Sequence, residues 1–203
     1  EDTQQVQEAF ENGELDVMTL SSPKANSLSV PQTYVSKLTF NTSLSMLTNR
    51  QREGVNKTIL ANEDFRKAIS LSLDRTLFVE ECTPSSQPAL GLLGHSFLSN
   101  VATGEGYRES ALGSNVIAQV YGSADATGYD LQAAKTLFQQ AYDRAVAEGR
   151  MTEDDVVELE FLVYSDENPV YNAIVASLQH AVNDAAAGTA HQVRQGAGDL
   201  LPG

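Results

Sequence analysis

The chain has no tryptophan, a single cysteine (Cys82) and few aromatic residues. One cysteine excludes an intramolecular disulfide and argues against a thiolate metal cluster. Cys82 follows Glu80 and Glu81, and negative neighbours keep a thiol protonated, so a cysteine nucleophile is disfavoured. Basic residues are also scarce, with 13 Lys and Arg against 27 Asp and Glu and a formal net charge of −14. They are scattered singly, which argues against nucleic-acid binding, because phosphate contacts need clustered cations. The same charge opposes docking on anionic lipid and reads first as solubility through self-repulsion. No apolar run is long enough to span a membrane. The start, Glu1-Asp2-Thr3-Gln4-Gln5, carries neither a signal-peptide pattern nor an initiator Met, as expected of a processed product or an excised portion of a longer chain. There is no Gly-x-x-x-x-Gly-Lys phosphate loop and no Gly-x-Ser-x-Gly elbow. His95, His180 and His191 lack metal-ligand spacing.

Several capped, periodic segments are present. Residues 4–12 read as a helix with Val6, Ala9 and Phe10 on one face and Gly13 as its stop. Leu15 to Leu20 reads as a short strand. Pro31 to Ser43 alternates, with Val35, Leu38 and Phe40 against Ser36, Lys37, Thr39 and Asn41, which predicts a strand with one buried face. Asn62 is placed to cap a helix that opens on Glu63 and Asp64, the sign its N-terminus favours. Phe65, Ile69, Leu73 and Leu77 recur every four residues, and Asp74 is placed to cap a second helix from Arg75 to Cys82. Residues 83–129 are irregular, with a helical turn expected over 113–121. Asp130 caps the clearest helix, Leu131 to Glu148, with Ala134, Leu137, Phe138, Ala141 and Ala145 as its stripe and Gly149 as its end. Val157 to Tyr164 reads as a strand, and Asn168-Pro169 begins a helix with Val170, Ile174, Leu178, Ala181 and Val182 on one face. Alternating strands and helices favour an α/β layer architecture. Residues 185–203 carry almost no pattern and read as a disordered or poorly packed tail.

The run Phe65-Arg66-x-Ala68, an apolar stretch, then Asp74-Arg75 resembles a hallmark of one family. Five further segments fit the same family in order: Phe10 to Val17, Leu38-Thr39-Phe40-Asn41, Gln87-Pro88-Ala89-Leu90-Gly91, Tyr129 to Leu137, and Leu159 to Tyr164 followed by a helix. The family is the extracytoplasmic solute-binding proteins of oligopeptide and dipeptide ABC importers, and the likeness spans roughly residues 8–184. It implies an α/β, periplasmic-binding-protein-like (type II) lobe with a mixed sheet flanked by helices. It identifies residues 1–184 as the C-terminal lobe of a two-lobed clamp. The expected partners are a peptide ligand, the missing N-terminal lobe and a membrane ABC permease, with no cofactor and no nucleic acid. The expected location is extracytoplasmic, periplasmic or on the cell surface, as a lipoprotein anchored through an upstream segment. The family's Trp-x-x-Asp-Tyr-type segment, whose Asp holds a peptide α-amine, has no counterpart here.

The resemblance places ligand contacts near Gln32 and Lys37. The period of two on the same strand turns Lys37, Thr39 and Asn41 outward, with Lys37 placed to meet a ligand carboxylate. Tyr164 and Tyr171 flank a strand-to-helix junction, where ligands often sit in α/β folds, although packing tyrosines are the plainer reading. Arg66 and Asp74 read as an ion pair or cap holding the helix pair. Glu158 and Glu160 share a strand face; they read as a charged solvent face before a paired-carboxylate acid/base site. Asn41-Thr42-Ser43 and Asn56-Lys57-Thr58 match the glycosylation sequon, which is frequent by chance. The expected function is therefore a non-catalytic binding lobe. The same scaffold carrying nickel, haem, an opine or an oligosaccharide is the alternative, and a carboxylate hydrolase the remote one.

Overall fold

The computed structural model describes residues 3–20, 24–122, 125–161, 168–186 and 193–197. Local chemistry sets most helix ends. Helix α1 (Thr3–Glu11) stops before Gly13, which takes a φ of 76° that a side-chain-bearing residue rarely adopts. Helix α2 (Leu44–Asn49) begins at Ser43, whose hydroxyl accepts the Met46 N–H. Asn62 caps α3 (Glu63–Ser72) by accepting the Asp64 N–H at 2.9 Å. Asp74 accepts the N–H groups of Thr76 and Leu77 at 3.0 and 3.2 Å and opens α4 (Arg75–Cys82). Ser110 caps α5 (Ala111–Tyr121), and Asp130 caps α6 (Leu131–Ala147) through the Ala133 N–H at 2.8 Å. Helix α7 (Pro169–Ala186) opens with proline at its first position, where the missing N–H costs nothing.

Three strands form one sheet in the order β1 (Val55–Asn56), β4 (Val156–Phe161), β5 (Val193–Ala197). Both pairings are parallel, with Val55 opposite Val156 and Val157 opposite Val193. The sheet is thus wholly parallel rather than mixed. Antiparallel pairing occurs in a separate hairpin, β2 (Leu98–Asn100) with β3 (Glu105–Gly106), and in an isolated bridge between Arg52 and Val55. Strand β5 falls inside 185–203, where the sequence carries no periodicity.

The core lies between the helices and one face of β4. Ala68, Ala134 and Ala141 are fully buried, and their small side chains let α3 and α6 approach closely. Phe65 and Phe138 meet across that contact with ring centroids 5.2 Å apart at 72°, an edge-to-face arrangement. Val157 joins the same cluster with Val182 and Ala185 of α7, and Leu159 packs against it. Among the described residues no helix is long and apolar enough to cross a membrane.

Two expected strands are not formed. Residues 15–20 and Pro31 to Ser43 take no regular structure, and no described strand lies alongside either. Alternation alone cannot hold a strand whose N–H and C=O groups have no partner. Leu38, expected inside, is 39% exposed, while Phe40 does pack against the core. The period-four stripe also ends early. Helix α3 closes at Ser72, Leu73 turns to extended backbone, and α4 starts a new axis on which Leu77 is 54% exposed.

Candidate ligand-binding site

Without the strand at 31–43, the period of two no longer turns Lys37, Thr39 and Asn41 to one side. Gln32, Lys37, Thr39 and Asn41 are each exposed, on an irregular segment. The Gln32 carbonyl accepts the Ser96 hydroxyl at 3.5 Å, which lays this segment against residues 94–96. Asn41 is used locally: its side-chain oxygen accepts the Ser43 N–H at 3.0 Å, just ahead of α2. Lys37 takes part in no hydrogen bond or ion pair among the described residues. Tyr171 is half-buried in the first turn of α7, its N–H bonded to the Asn168 carbonyl at 3.1 Å. Tyr164 lies outside the described residues. The five described residues share no hydrogen bond or ion pair with one another.

The structure does gather a charged network that the sequence reading scattered. Strand β1 ends at Asn56, opposite Val157, so the next residues, Lys57 and Glu158, come side by side. Asn56 is fully buried and steers the chain out of β1. Its Nδ2 donates to the Arg150 carbonyl at 2.7 Å, and its Oδ1 accepts the Ile59 N–H at 3.0 Å. The 3₁₀ turn Thr58–Ala61 follows and leads into α3. Lys57 Nζ then reaches Glu158 Oε1 at 3.0 Å and Glu160 Oε1 at 3.1 Å. Arg52 Nη2 donates to Glu158 Oε2 at 2.5 Å, and Arg50 Nη2 donates to Glu160 Oε2. The Lys57 side chain is only 4% exposed and those of Glu158 and Glu160 are 11% and 24% exposed. The glutamates were expected on a charged solvent face. They form a covered ion-pair network instead, because their partners arrive from about a hundred residues earlier. The Lys57 ammonium is held in place between the two carboxylates.

Asp74 caps α4 as expected, but it forms no ion pair with Arg66, whose guanidinium donates to the Leu60 carbonyl at 2.8 Å. Arg75 is the residue that ties segments together. Its Nη1 donates to the carbonyls of Ser70 and Thr127 at 3.0 and 3.1 Å, and its Nη2 to Ser70 Oγ at 2.8 Å. The guanidinium lies 5.8 Å from the centre of the Tyr121 ring. Burial pushes its pKa down, against the opposing influence of Tyr121 and Asp125. Gly128, at φ 79°, leaves room for this arrangement: a Cβ there would fall 2.6 Å from Leu90 Cδ2 and 3.2 Å from Arg75 Nη1. Sequence alone offered only the Asp-Arg dipeptide as a signal, because Tyr121 and Thr127 lie some fifty residues away.

Cys82 is buried on α4. Burial pushes its thiol pKa up and Glu81 adds to this, while a hydrogen bond with Ser177 works the other way. His95 pairs with Glu109 at 3.3 Å and His180 with Asp184 at 3.4 Å, both near the surface. Among the described residues no group of three His, Cys, Asp or Glu side chains could hold a metal ion.

Residues 1–195 match the family model described as bacterial extracellular solute-binding proteins, family 5 Middle. Neither curated proteins nor solved structures give a match. Members of this family are non-catalytic, extracytoplasmic proteins of transport systems, so the chain is not an enzyme. With nearly its whole length matched, the chain belongs to the bacterial extracellular solute-binding proteins of family 5.

Proposed function

We propose that the chain is a ligand-binding lobe, the C-terminal one, of the substrate-binding component of an ABC importer for oligopeptides. The family match over residues 1–195 supports the solute-binding part of this reading. The parallel sheet supports it, since open α/β sheets bind ligands at the carboxyl ends of their strands. In this reading residues 1–184 form the lobe, and an upstream lobe supplies the opposite wall of the cleft and a lipid anchor. Gln32, Lys37, Thr39, Asn41, Tyr164 and Tyr171 are the proposed ligand-facing positions. Peptide backbone groups are held by hydrogen bonds, and ordered water fills roomy side-chain pockets, which tolerates varied sequences. Closure is driven by contacts that the ligand makes to both lobes only in the closed state. The closed form then delivers its cargo to a membrane permease.

A thermal-shift screen of the full-length protein against short peptides, sugars and metal ions tests the cargo. Peptides are expected to raise the melting temperature. A rise with sugars or metal ions alone overturns the peptide assignment. The isolated chain is expected to bind peptide weakly, and tight binding by it alone would contradict the two-lobe reading.

A further inference from the structure

We propose that the apolar face built by residues 91–120 is the seat of a symmetric dimer, with a second copy of this protein as its occupant. The inference does not depend on the cargo. Helix α5 carries no charged residue, and Gly113 is its only buried one. Its inner positions recur every four residues and are spent on local packing. A Cβ on Gly113 would collide with the Tyr107 carbonyl, and one on Gly91 would lie 3.7 Å from Ile117 Cδ1. The Tyr121 hydroxyl lies 3.3 Å from Ser70 Oγ. One residue before each of these inner positions stand Leu112, Val116 and Val120, all exposed. The loop and hairpin beside α5 add Leu92, Leu98 and Val101, which are 71%, 47% and 84% exposed. These pieces are tied to one another: the Tyr107 N–H donates to the Phe97 carbonyl at 2.8 Å, and Arg108 Nε to the Leu93 carbonyl at 2.6 Å. Among the described residues, eight of the nineteen exposed large hydrophobic side chains fall between Leu92 and Val120, which makes this the main apolar face. Contiguous apolar surface of that kind marks an interaction site.

Charge says what covers it. From Thr83 to Gly122 the only Lys, Arg, Asp or Glu residues are Glu105, Arg108 and Glu109, a net −1 on a chain of −14. Glu109 is already paired with His95 at 3.3 Å. A cationic partner would be drawn to the acidic remainder of the surface rather than to this face. A second copy is as acidic as the first and is repelled everywhere except where the surface lacks charge. In a two-fold interface residues near the axis meet their own counterparts, so a face that binds itself has to be apolar or self-complementary. The size also fits. Eight side chains about half exposed offer on the order of 500 Å² of apolar area per copy. Homodimer interfaces are about 65% apolar, so with the exposed polar residues Ser99, Asn100, Asn115 and Gln119 between them the face reaches the ~800 Å² per partner of a standard interface.

Sedimentation velocity from micromolar to submillimolar concentration, at low and high sodium chloride, tests this on the full-length protein and on the 203-residue chain. Both are expected to shift from monomer to dimer as concentration rises. The dimer should tighten in salt, because screening removes the repulsion between two acidic copies and leaves the apolar contact. L98E and V116E should each weaken it about a hundredfold or more, since two-fold symmetry buries each new carboxylate twice. Q140E adds the same charge on α6, outside the face, and should leave the dimer within about twofold of the parent at high salt. Circular dichroism melts confirm that each variant is folded, and the concentration and salt series needs no variant. Monomer under every condition overturns the proposal, as does a dimer that salt loosens. A dimer that L98E and V116E disturb no more than Q140E overturns the face as its seat. Dimerisation of the 203-residue chain with a monomeric full-length protein also overturns it, and places another part of the same protein on the face.

Discussion

Replacing Lys57 by methionine keeps the length of the side chain and deletes its charge. The Lys57 side chain is 4% exposed, and its two partners are 11% and 24% exposed. Removing one member of a buried ion pair costs about 3–5 kcal/mol, because the other charge stays behind without compensation. Here Glu158 and Glu160 each retain an arginine, and exposed pairs of that kind are worth at most about 1 kcal/mol apiece. The net loss for K57M is therefore about 1–3 kcal/mol. For a chain of this length 1 kcal/mol lowers the melting temperature by about 2–4 °C, so K57M should melt about 2–12 °C below the parent. Circular dichroism melts at low and high salt read this directly. The loss should persist in salt, since buried charges are screened little. Neutralising the stranded carboxylates in K57M/E158Q/E160Q should recover most of it. A K57M protein that melts within about 1 °C of the parent, or a triple variant without recovery, would refute the account of Lys57 as the covered centre of the network.

Arg75→Lys should destabilise nearly as much as Arg75→Ala, because one ammonium cannot reach Ser70 and Thr127 together as the planar fork does. Both should cost about 1–3 kcal/mol in urea titrations, and full rescue by lysine would show that charge alone matters there. The Asp125 carboxyl is held below its ordinary pKa, first by the Thr127 hydroxyl and then by the backbone N–H groups of Tyr129, Thr127 and Gly128, against a burial effect that raises it. Its contribution is complete above the unfolded pKa and is lost as pH falls through the lower folded value. An NMR titration of the Thr127 and Tyr129 amides should therefore show a midpoint below that of an ordinary aspartate, and a midpoint at or above it contradicts the turn. Cys82, buried and with its thiol pKa pushed up, should react with a thiol reagent only as the fold opens, so urea should accelerate labelling in step with unfolding. Fast labelling of the native chain counts against that placement.

What the sequence made legible was what depends on near neighbours. The caps at Asn62, Asp74 and Asp130 and the stops at Gly13 and Gly149 follow from a side chain and the few backbone groups after it, and all of them stand in the structure. The stripe of α6 was equally clear, because a long helix repeats its pattern. Strands were harder. Alternation at Val35, Leu38 and Phe40 looked as convincing as at Val157 and Leu159, yet only β4 has neighbours to pair with. The continued spacing through Leu73 and Leu77 misled because periodicity cannot see that a helix has stopped and restarted on another axis. The charged network was invisible for a related reason. Glu158 and Glu160 reveal only that they share a face, and what lies on that face is supplied by Arg50, Arg52 and Lys57.

Strand β1 has two residues and pairs in parallel with a strand about one hundred residues further on. So short a strand has no independent stability, and the loop it closes is long, so its pairing carries a large ordering cost before any contact repays it. The apolar faces of α3 and α6 can meet without it, but the covered lysine has no carboxylate partner until β4 has arrived. Folding should therefore be slow for a chain so rich in helix, with the sheet closing late. During synthesis, Lys57 stays solvated until Glu158 and Glu160 have emerged, and only then does the charged network beside β4 take shape.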